Sequence, residues 1–501
     1  MPRRAADAAL LPIALTREEE TPLHRQLYDQ LRELILAGRL GAGQRLPSTR
    51  TLAGELGVSR NTVTGAFDQL LAEGYVVGRV GAGSYVSDEL PEDALSARTG
   101  EALSAPGAKL GERPRRRGLS ARGQRLAGLR KAGGVRSAAF TPGLPDLDAF
   151  PFDVWSRLMS KAWRRPPRDL LANAEPAGYL PLRRAIATYL RAVRGVRCEA
   201  DQVIIVSGAQ QAIGLAAQVL LDEGDVALME EPGYAGVRGA LTAAGARLVA
   251  APVDDEGMDI GWAEARAPDA KMACVVPSLQ YPLGITMTLP RRLKLLDWAQ
   301  RRDGWVLEDD FDSEYRYTGR PLAALQGLDR DGRVVYIGTF SKVMFPSLRI
   351  GYLIAPADLT DSFRYARAAI DDHPSTAAQP ALAAFMEEGH FAAHVRRMRK
   401  RYKDRQDALL AAVQARLDGA FEIGPAEAGM HLLARMPPAL TARMDDTTAR
   451  RKAAEAGINV LALSSFYAES VGRQGLLLGY AAVPEEAMAE SVARLAGALG
   501  L

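Results

Sequence analysis

Short apolar runs with strand-like composition recur along most of this chain, and helical patterns separate them. The clearest runs are Val203–Val206, Val226–Glu230, Met272–Val276, Trp305–Leu307, Val334–Ile337 and Tyr352–Ile354. Strands that alternate with helices are typical of a mostly parallel sheet whose faces are covered by those helices. The pattern therefore predicts an α/β fold, and it extends over residues 138–501.

The first 137 residues follow a different pattern and divide into two regions. Residues 15–87 are compact and rich in helix signals. Residues 88–137 are rich in Gly, Pro, Ser, Ala and Arg with little apolar periodicity, which predicts a long flexible linker. Within it, residues 98–137 hold eleven Lys and Arg against two Glu. This basic stretch is either an electrostatic footprint for nucleic acid or a solvated tether.

Three helices and a hairpin are predicted within residues 15–87. Thr21 precedes a proline and is predicted to cap the first helix. Ser48 is predicted to cap a short second helix, which Gly57 closes, and Ser59 a third. The joint between the second and third helices is typical of a helix-turn-helix. Two strand-like segments then flank the glycine-rich turn at residues 80–83, which predicts a small wing.

Polar side chains crowd the start of the third predicted helix, where they can reach phosphates and base edges in a major groove. The string LPSTRTLAGELGVSRNTVTGAFDQLLAEGYV, followed by GSYVS, resembles the winged helix-turn-helix of the GntR family. The alternative is a polar three-helix module that binds protein. The resemblance implies DNA contacts from Arg50, Ser59, Arg60, Asn61, Thr62 and Thr64, with Gly81 in the wing.

A lysine, an aspartate and an arginine lie at the ends of apolar runs in the larger region. Lys342 follows Val334–Ile337, Asp309 follows Trp305–Leu307, and Arg349 precedes Ile350. An unprotonated lysine amine can form an imine with an aldehyde. A carboxylate can keep a pyridine nitrogen protonated, and a guanidinium can bind a phosphate bidentately. The set predicts a site for pyridoxal 5'-phosphate (PLP).

Further residues of this predicted site also follow strand-like runs. The segment 207–211 opens a helix whose backbone N–H groups can form an anion cup, and Thr339 and Ser341 add hydroxyls near the same phosphate. Tyr234 can stack on the cofactor ring or lie in the core. These positions all lie where open α/β sheets bind ligands, at the carboxyl ends of strands.

Four strings extend the comparison along residues 138–501: EPAGYLPLRRAIATYL, PSLQYPLG, VLEDDFDSEYRY and GTFSKVMFPSLRIGYL. They resemble the fold-type I, aspartate aminotransferase-like PLP enzymes. Together with the amino-terminal module, they resemble the MocR subfamily of GntR regulators. The resemblance implies a head-to-tail homodimer. It also implies Lys342 as the Schiff-base lysine, Asp309 as the partner of the pyridine nitrogen, Tyr234 on the ring, and Ala209, Gln210, Ser341 and Arg349 around the phosphate.

The chain departs from these enzymes at positions that matter for catalysis. Phe311 stands where relatives often have a tyrosine that reaches the PLP hydroxyl, Leu279 where many have histidine, and Asn173 where many have a tyrosine. Leu477 stands where the arginine that clamps a substrate carboxylate is found, and an apolar side chain cannot replace that contact. Arg473 is nearby in sequence. We therefore expect little or no transamination and no catalytic role beyond the imine-forming Lys342.

The features together predict a transcriptional regulator that binds PLP and promoter or operator DNA. Its effector is predicted to be PLP or an amine that reacts with PLP. Its target genes are predicted to be those of vitamin B6 metabolism or of amine and amino-acid metabolism. The alternatives are an aminotransferase with an accessory DNA-binding domain, and a DNA-binding protein whose larger region is only a scaffold.

Location and metal content are also predicted from the sequence. There is no apolar run of about 18 residues, so no membrane span is expected. The only cysteines, Cys198 and Cys274, suit a reducing cytoplasm. His390 and His394 have a helical metal-binding spacing, but no third ligand is evident. We expect no metal site, and we expect both histidines on a solvated helix face.

Overall fold

The computed structural model describes residues 12–16, 21–79, 83–88, 90, 118–129, 138–172, 174–319, 323–469 and 471–501. The chain divides into two units, Met1–Arg117 and Gly118–Leu501. None of the helices in the described ranges is both long and apolar enough to cross a lipid bilayer.

The amino-terminal unit is the predicted winged helix-turn-helix. Its elements are α1 Leu23–Leu36, α2 Thr49–Leu56, α3 Arg60–Ala72, β1 Val76–Arg79 and β2 Gly83–Val86. The two strands pair antiparallel and form the wing. Apolar side chains repeated at helical spacing on α1 and α3 meet in one core, which includes Leu27, Leu31, Val63, Phe67 and Leu70.

Local hydrogen bonds explain where α2 and α3 begin. The Ser48 hydroxyl accepts from the backbone N–H of Thr51, and the Ser59 hydroxyl accepts from that of Thr62, both at 3.1 Å. Gly57 ends α2 with φ +63°, a conformation that glycine adopts without steric cost. Both predicted caps are confirmed, and each is worth about 0.5–2 kcal/mol of helix stability.

The predicted cap of the first helix is wrong. Helix α1 begins at Leu23, and Pro22, not Thr21, occupies the capping position without a side-chain hydrogen bond. Pro22 has ψ 141°, so the chain is still extended there and turns helical only at the next residue. The proline ring fixes φ, but it does not fix ψ, and a helix needs both.

The larger unit contains helices of very different length. In chain order they are α4 Ala121–Gly128, α5 Phe152–Arg164, α6 Arg168–Leu171, α7 Leu180–Arg194, α8 Ala209–Leu220, α9 Ala235–Ala244, α10 Ile260–Arg266, α11 Leu289–Arg301, α12 Leu325–Leu328, α13 Thr360–Asp371, α14 Gln379–Glu387, α15 His390–Arg416, α16 Pro438–Thr441, α17 Asp446–Glu455 and α18 Glu485–Leu499. Its strands are β3 Val203–Val206, β4 Val226–Glu231, β5 Arg247–Asp254, β6 Gly257–Met258, β7 Ala270–Val275, β8 Trp305–Asp310, β9 Val334–Thr339, β10 Gly351–Ile354, β11 His431–Arg435, β12 Leu461–Ala462 and β13 Gly475–Gly479.

The predicted mostly parallel sheet is confirmed. Over the described residues its strand order is β3-β10-β9-β8-β7-β4-β5-β6. The pairs β4–β5, β4–β7, β7–β8 and β8–β9 are parallel, whereas β10 runs antiparallel to both of its neighbours, β3 and β9. Helix α8 packs on one face, where Ile213 and Ala216 join Ile204, Ile337 and Leu353 in a buried cluster.

A smaller sheet, of order β11-β13-β12, lies in the last third of the chain. Helices α15 and α18 pack together beside it. Their buried side chains include Leu409, Val413, Val492 and Leu495, each worth about 1.5–3 kcal/mol when removed from water. This second layer matters for the site because β11 supplies one of the side chains that line it.

Part of the predicted linker is helical in the structure. Helix α4 lies in the second unit, begins after Ser120, and packs against α9. Arg122 forms a 2.9 Å ion pair with Glu223, but both side chains are largely exposed, so this pair contributes at most about 1 kcal/mol. Residues 91–117 and 130–137 of the predicted linker lie outside the described residues.

The expectation that both histidines of α15 lie on a solvated face is wrong for His394. That side chain is buried, and its Nε2 lies 2.9 Å from the carbonyl oxygen of Val343. His390 is only partly exposed and lies 3.3 Å from Glu388. Charged and buried positions interleave along α15, so the sequence pattern did not reveal which face of this helix packs against the core.

Candidate cofactor site and nucleic-acid interface

A cavity of about 240 Å³ opens at the carboxyl ends of β3, β8 and β9. It brings together the side chains predicted for the cofactor from separate parts of the sequence. These are Ala209, Gln210, Tyr234, Asp309, Thr339, Ser341, Lys342 and Arg349. Parallel strands end at one edge of a sheet, which explains why residues far apart in sequence converge here.

Lys342 follows β9 and extends its amine into this cavity. Its Nζ donates to the carbonyl oxygen of Gly143 at 3.0 Å. Gly143 has φ +70°, a conformation that is strained for other residues, and a Cβ there would lie 2.7 Å from that Nζ, so a larger residue would displace the amine. Burial lowers the pKa of the Lys342 amine, although Asp312 and Asp309 act in the opposite direction. A lower pKa leaves more of the neutral amine, which is the nucleophilic form.

Asp309 lies near the end of β8 and is buried. Burial and the neighbouring Asp310 raise its pKa to about 7, whereas Lys342 acts to lower it. Its Oδ1 has no hydrogen-bond partner within the described chain. Such a group costs about 1–3 kcal/mol when left unsatisfied. An unpartnered carboxyl oxygen beside Lys342 fits the protonated nitrogen of a pyridine ring.

A third part of the cavity is suited to a phosphate. Gly208 precedes α8 with φ +132°, and a Cβ there would lie 3.5 Å from the Arg349 guanidinium. The first turn of α8 presents backbone N–H groups and the positive end of the helix dipole. Thr339 Oγ1 and Ser341 Oγ lie 3.1 Å apart beside them. Two hydroxyls, a guanidinium and a helix start match the charge and oxygens of a phosphate.

Tyr234 borders the cavity from the start of α9. Its ring is 37% exposed and contacts Tyr281 edge-on, with 6.4 Å between the ring centroids. The side chain of Gln210 donates to the carbonyl oxygen of Gly236 at 2.7 Å, so the starts of α8 and α9 are tied together. The predicted stacking of Tyr234 on a cofactor ring stays a prediction.

The residues that differ from those of catalytic relatives lie in different parts of the structure. Phe311 lines the cavity and presents an apolar ring. Leu477 is fully buried on β13 and packs with Leu463 and Phe466. Arg473 is exposed and is not among the residues that line the cavity. Asn173 lies outside the described residues.

The sequence prediction missed several positions that line the cavity, among them Gly143, Tyr281, Asp312 and His431. The string DDFD placed Asp312 three residues after Asp309, which was an available signal. No local pattern marks His431, because it reaches the cavity from the smaller sheet.

The amino-terminal unit presents its predicted DNA contacts unequally. Arg50, Arg60 and Asn61 are exposed at the starts of α2 and α3. The hydroxyls of Ser59 and Thr62 lie 2.9 Å apart and serve the helix cap. Thr64 is partly buried on α3, and Gly81 lies outside the described residues.

The wing adds basic side chains that the prediction did not include. The Arg79 guanidinium lies over the ring of Tyr85, 4.7 Å from its centroid. Arg45 approaches Gly83 closely enough that a Cβ there would lie 3.4 Å from its Nε. Both side chains pack against the wing, and a side chain that is already restricted loses less entropy if it contacts a phosphate backbone.

We expect the Arg60→Ala substitution to weaken promoter binding by roughly five- to 150-fold, because a good bidentate base contact is worth about 1–3 kcal/mol. Fluorescence anisotropy with promoter DNA at fixed salt measures the change. Arg39→Ala, at an exposed position after α1, is the matched control. Unchanged affinity for Arg60→Ala would mean that α3 is not the reading helix.

Comparison with known proteins gives two family matches. Residues 23–86 match the bacterial regulatory proteins of the gntR family, and residues 158–495 match aminotransferase class I and II. The chain is 43% identical to the probable rhizopine catabolism regulatory protein MocR of Rhizobium meliloti, across 97% of this chain and 95% of that protein. It is 30% identical to the HTH-type pyridoxine biosynthesis transcriptional regulator PdxR of Corynebacterium glutamicum, across 98% of this chain and 99% of that protein.

Solved structures resemble the larger unit. The α-aminoadipate aminotransferase LysN of Thermus thermophilus, complexed with N-(5'-phosphopyridoxyl)-L-leucine, has a TM-score of 0.67 at 28% identity and covers 75% of this chain and 96% of its own. Kynurenine aminotransferase of Pyrococcus horikoshii has a TM-score of 0.66 at 27% identity, and the match covers 76% of this chain and 95% of that chain. Such neighbours carry a pyridoxal-derived cofactor, in agreement with the chemistry of the cavity.

Proposed function

This chain belongs to the MocR-type transcriptional regulators of the GntR family, and we propose that PLP bound in its cavity, or an amine that reacts there, controls its affinity for promoter DNA. The observation that carries this proposal is the unpartnered Oδ1 of buried Asp309 beside the Lys342 amine. An amine, a pyridine partner and a phosphate cup in one cavity would have little use in a pure scaffold.

Each part of the cavity has a defined task toward PLP. When bound, PLP supplies an aldehyde that condenses with primary amines and a ring that withdraws electrons. Lys342 would hold the aldehyde carbon through its amine. Asp309 would hold the proton on the ring nitrogen. The first turn of α8 with Thr339, Ser341 and Arg349 would hold the phosphate.

The named relatives support two classes of target genes. One is named as a regulator of rhizopine catabolism, the other as a regulator of pyridoxine biosynthesis. Identity is higher to the first, at 43% against 30%. We therefore propose catabolic genes for a small amine as the first target class, and genes of vitamin B6 synthesis as the second.

A homodimer in the cytoplasm completes the proposal. Winged helix-turn-helix modules commonly read two half-sites, and a symmetric pair of modules suits such operators. Phe152, Trp163 and Leu171 expose about half of their apolar side chains on α5 and α6, which offers a surface for a second copy. The DNA partner implies a cytoplasmic location. A head-to-tail arrangement of the two copies remains part of the proposal.

A working aminotransferase is the second candidate. The family match to aminotransferase class I and II favours it. Leu477 disfavours it, because an apolar side chain cannot hold a substrate carboxylate. Phe311 also disfavours it, since no hydroxyl is present there to contact the PLP phenolate.

The test is to add PLP to cofactor-free protein and measure affinity for the DNA beside its own gene. Pyridoxine 5'-phosphate is the matched control, because it keeps the phosphate and the ring but has an alcohol in place of the aldehyde. We expect PLP to change the DNA affinity several-fold and the control to change it less. If PLP has no effect, while amino acids are converted at roughly 1–10³ per second, the aminotransferase candidate stands instead.

A further inference from the structure

Asp312 is a buried carboxyl group in the cavity that the cofactor contacts do not use. It is 2% exposed and lies in the turn after β8. Its Oδ2 has no hydrogen-bond partner among the described residues. Burial, with Asp310 and Glu314 nearby, raises its pKa well above the usual range, and Lys342 opposes this shift. Asp312 also lines the cavity, and a buried carboxyl oxygen without a partner can accept a hydrogen bond from a ligand that donates one.

His431 offers a second acceptor to the same cavity. It is buried on β11, and its ring contacts Tyr281 edge-on, with 5.2 Å between the centroids. Burial lowers the pKa of His431 to about 4, although a hydrogen bond to the backbone of Pro282 opposes this. The ring is therefore neutral near pH 7. One nitrogen donates to the Pro282 carbonyl, which leaves the other as an acceptor.

Among the described residues that line the cavity, none offers a spare cation for a ligand carboxylate. Among its lining residues the basic side chains are Lys342 and Arg349, and both have tasks toward the cofactor. Where a carboxylate-binding arginine would be needed, Leu477 packs with Leu463 and Phe466. A desolvated carboxylate without a counter-charge is costly, whereas a hydroxyl or ammonium would satisfy the acceptors already present.

We propose that this domain recognises a primary amine whose distal group is a hydrogen-bond donor, a hydroxyl or a second amino group, and not a carboxylate. Asp312 and His431 bind that distal group and set the specificity. The inference rests on the proposed function, in which an amine reacts at the cofactor. It adds the chemical class of that amine and the residues that distinguish it.

The test compares ligands that share a three-carbon chain and a primary amine. They are 3-amino-1-propanol, 1,3-diaminopropane, propylamine and β-alanine, with the distal group as the variable. Each is titrated into full-length PLP-loaded protein, and the visible absorption and the promoter affinity are followed in parallel. We expect the amino alcohol or the diamine to show an apparent Kd at least tenfold below that of β-alanine. The first two ligands distinguish a hydroxyl from an ammonium group.

Two substitutions test whether Asp312 and His431 cause the preference for a distal hydrogen-bond donor. Asp312→Leu keeps the approximate size and removes both acceptor oxygens, and we expect it to reduce the advantage of the preferred ligand over propylamine at least tenfold. Asp255→Leu makes the same change at an exposed position and is the control, expected to leave the ranking unchanged. His431→Leu should also narrow the advantage of the amino alcohol over propylamine.

Several outcomes would overturn the inference. It fails if β-alanine binds as tightly as the amino alcohol and the diamine. This comparison uses the unmodified protein, so it does not depend on whether a variant folds. It also fails if Asp312→Leu folds and retains the full preference. If PLP changes DNA affinity but β-alanine is preferred, only this inference fails. If neither PLP nor any of the four ligands changes DNA affinity, the proposed function fails whatever the ranking.

Discussion

The Lys342→Ala variant is expected to lose the visible absorption of bound PLP completely while keeping its fold. Lys342 is the lysine that lines the cavity, and its amine lies beside Asp309 at the carboxyl edge of the sheet. Among the described residues the Lys342 amine donates to one partner, the Gly143 carbonyl, so removing it leaves the hydrophobic clusters around the sheet intact. PLP would still contact the phosphate cup, but dialysis would remove it because no covalent bond remains.

The measurement is the absorption spectrum after PLP loading and dialysis, with circular dichroism to verify the fold. Lys271→Ala is the matched control, because Lys271 is an exposed lysine on β7 outside the cavity. The variant should also lose most of the PLP effect on promoter affinity. A Lys342→Ala protein that retains the wild-type spectrum would show that another amine holds the cofactor.

Transamination of ordinary α-amino acids is expected to be very slow, below the lower end of typical enzyme rates of roughly 1–10³ per second. Orientation of the reacting groups can supply about 7–11 kcal/mol of a reaction barrier. A charged clamp on the substrate carboxylate is one source of that orientation, and Leu477 lies in an apolar cluster that supplies none. Phe311 also lacks the hydroxyl with which relatives contact the PLP phenolate.

The rate is measured with a panel of amino acids and a 2-oxo acid acceptor, by direct detection of the products. The Leu477→Arg variant tests the physical reason, since a guanidinium at that position should raise the rate for α-amino acids if the variant folds. Turnover of the unmodified protein at more than about 1 per second, the lower end of typical enzyme values, would contradict the prediction.

Local signals explain why much of the architecture was predictable. The caps at Ser48 and Ser59 depend on hydrogen bonds that span three residues, so they can be found in the sequence. The alternation of apolar runs and helices encodes the parallel sheet, because each run is buried on both faces. The residues predicted around PLP lie mostly at or just after the carboxyl ends of strands. Arg349 instead precedes β10, which is antiparallel to β9, so it reaches the same edge of the sheet.

The sequence by itself determined the winged helix-turn-helix, the α/β class and the Lys342, Asp309 and Arg349 set. Only the tertiary structure decided that β10 runs antiparallel between β3 and β9, that Gly143 meets a lysine 199 residues away, and that His431 reaches the cavity. The physical reason is the distance along the chain over which each kind of interaction acts. Periodicity and caps act within a few residues, whereas strand order and the lining of a cavity depend on how distant segments pack once the chain has folded.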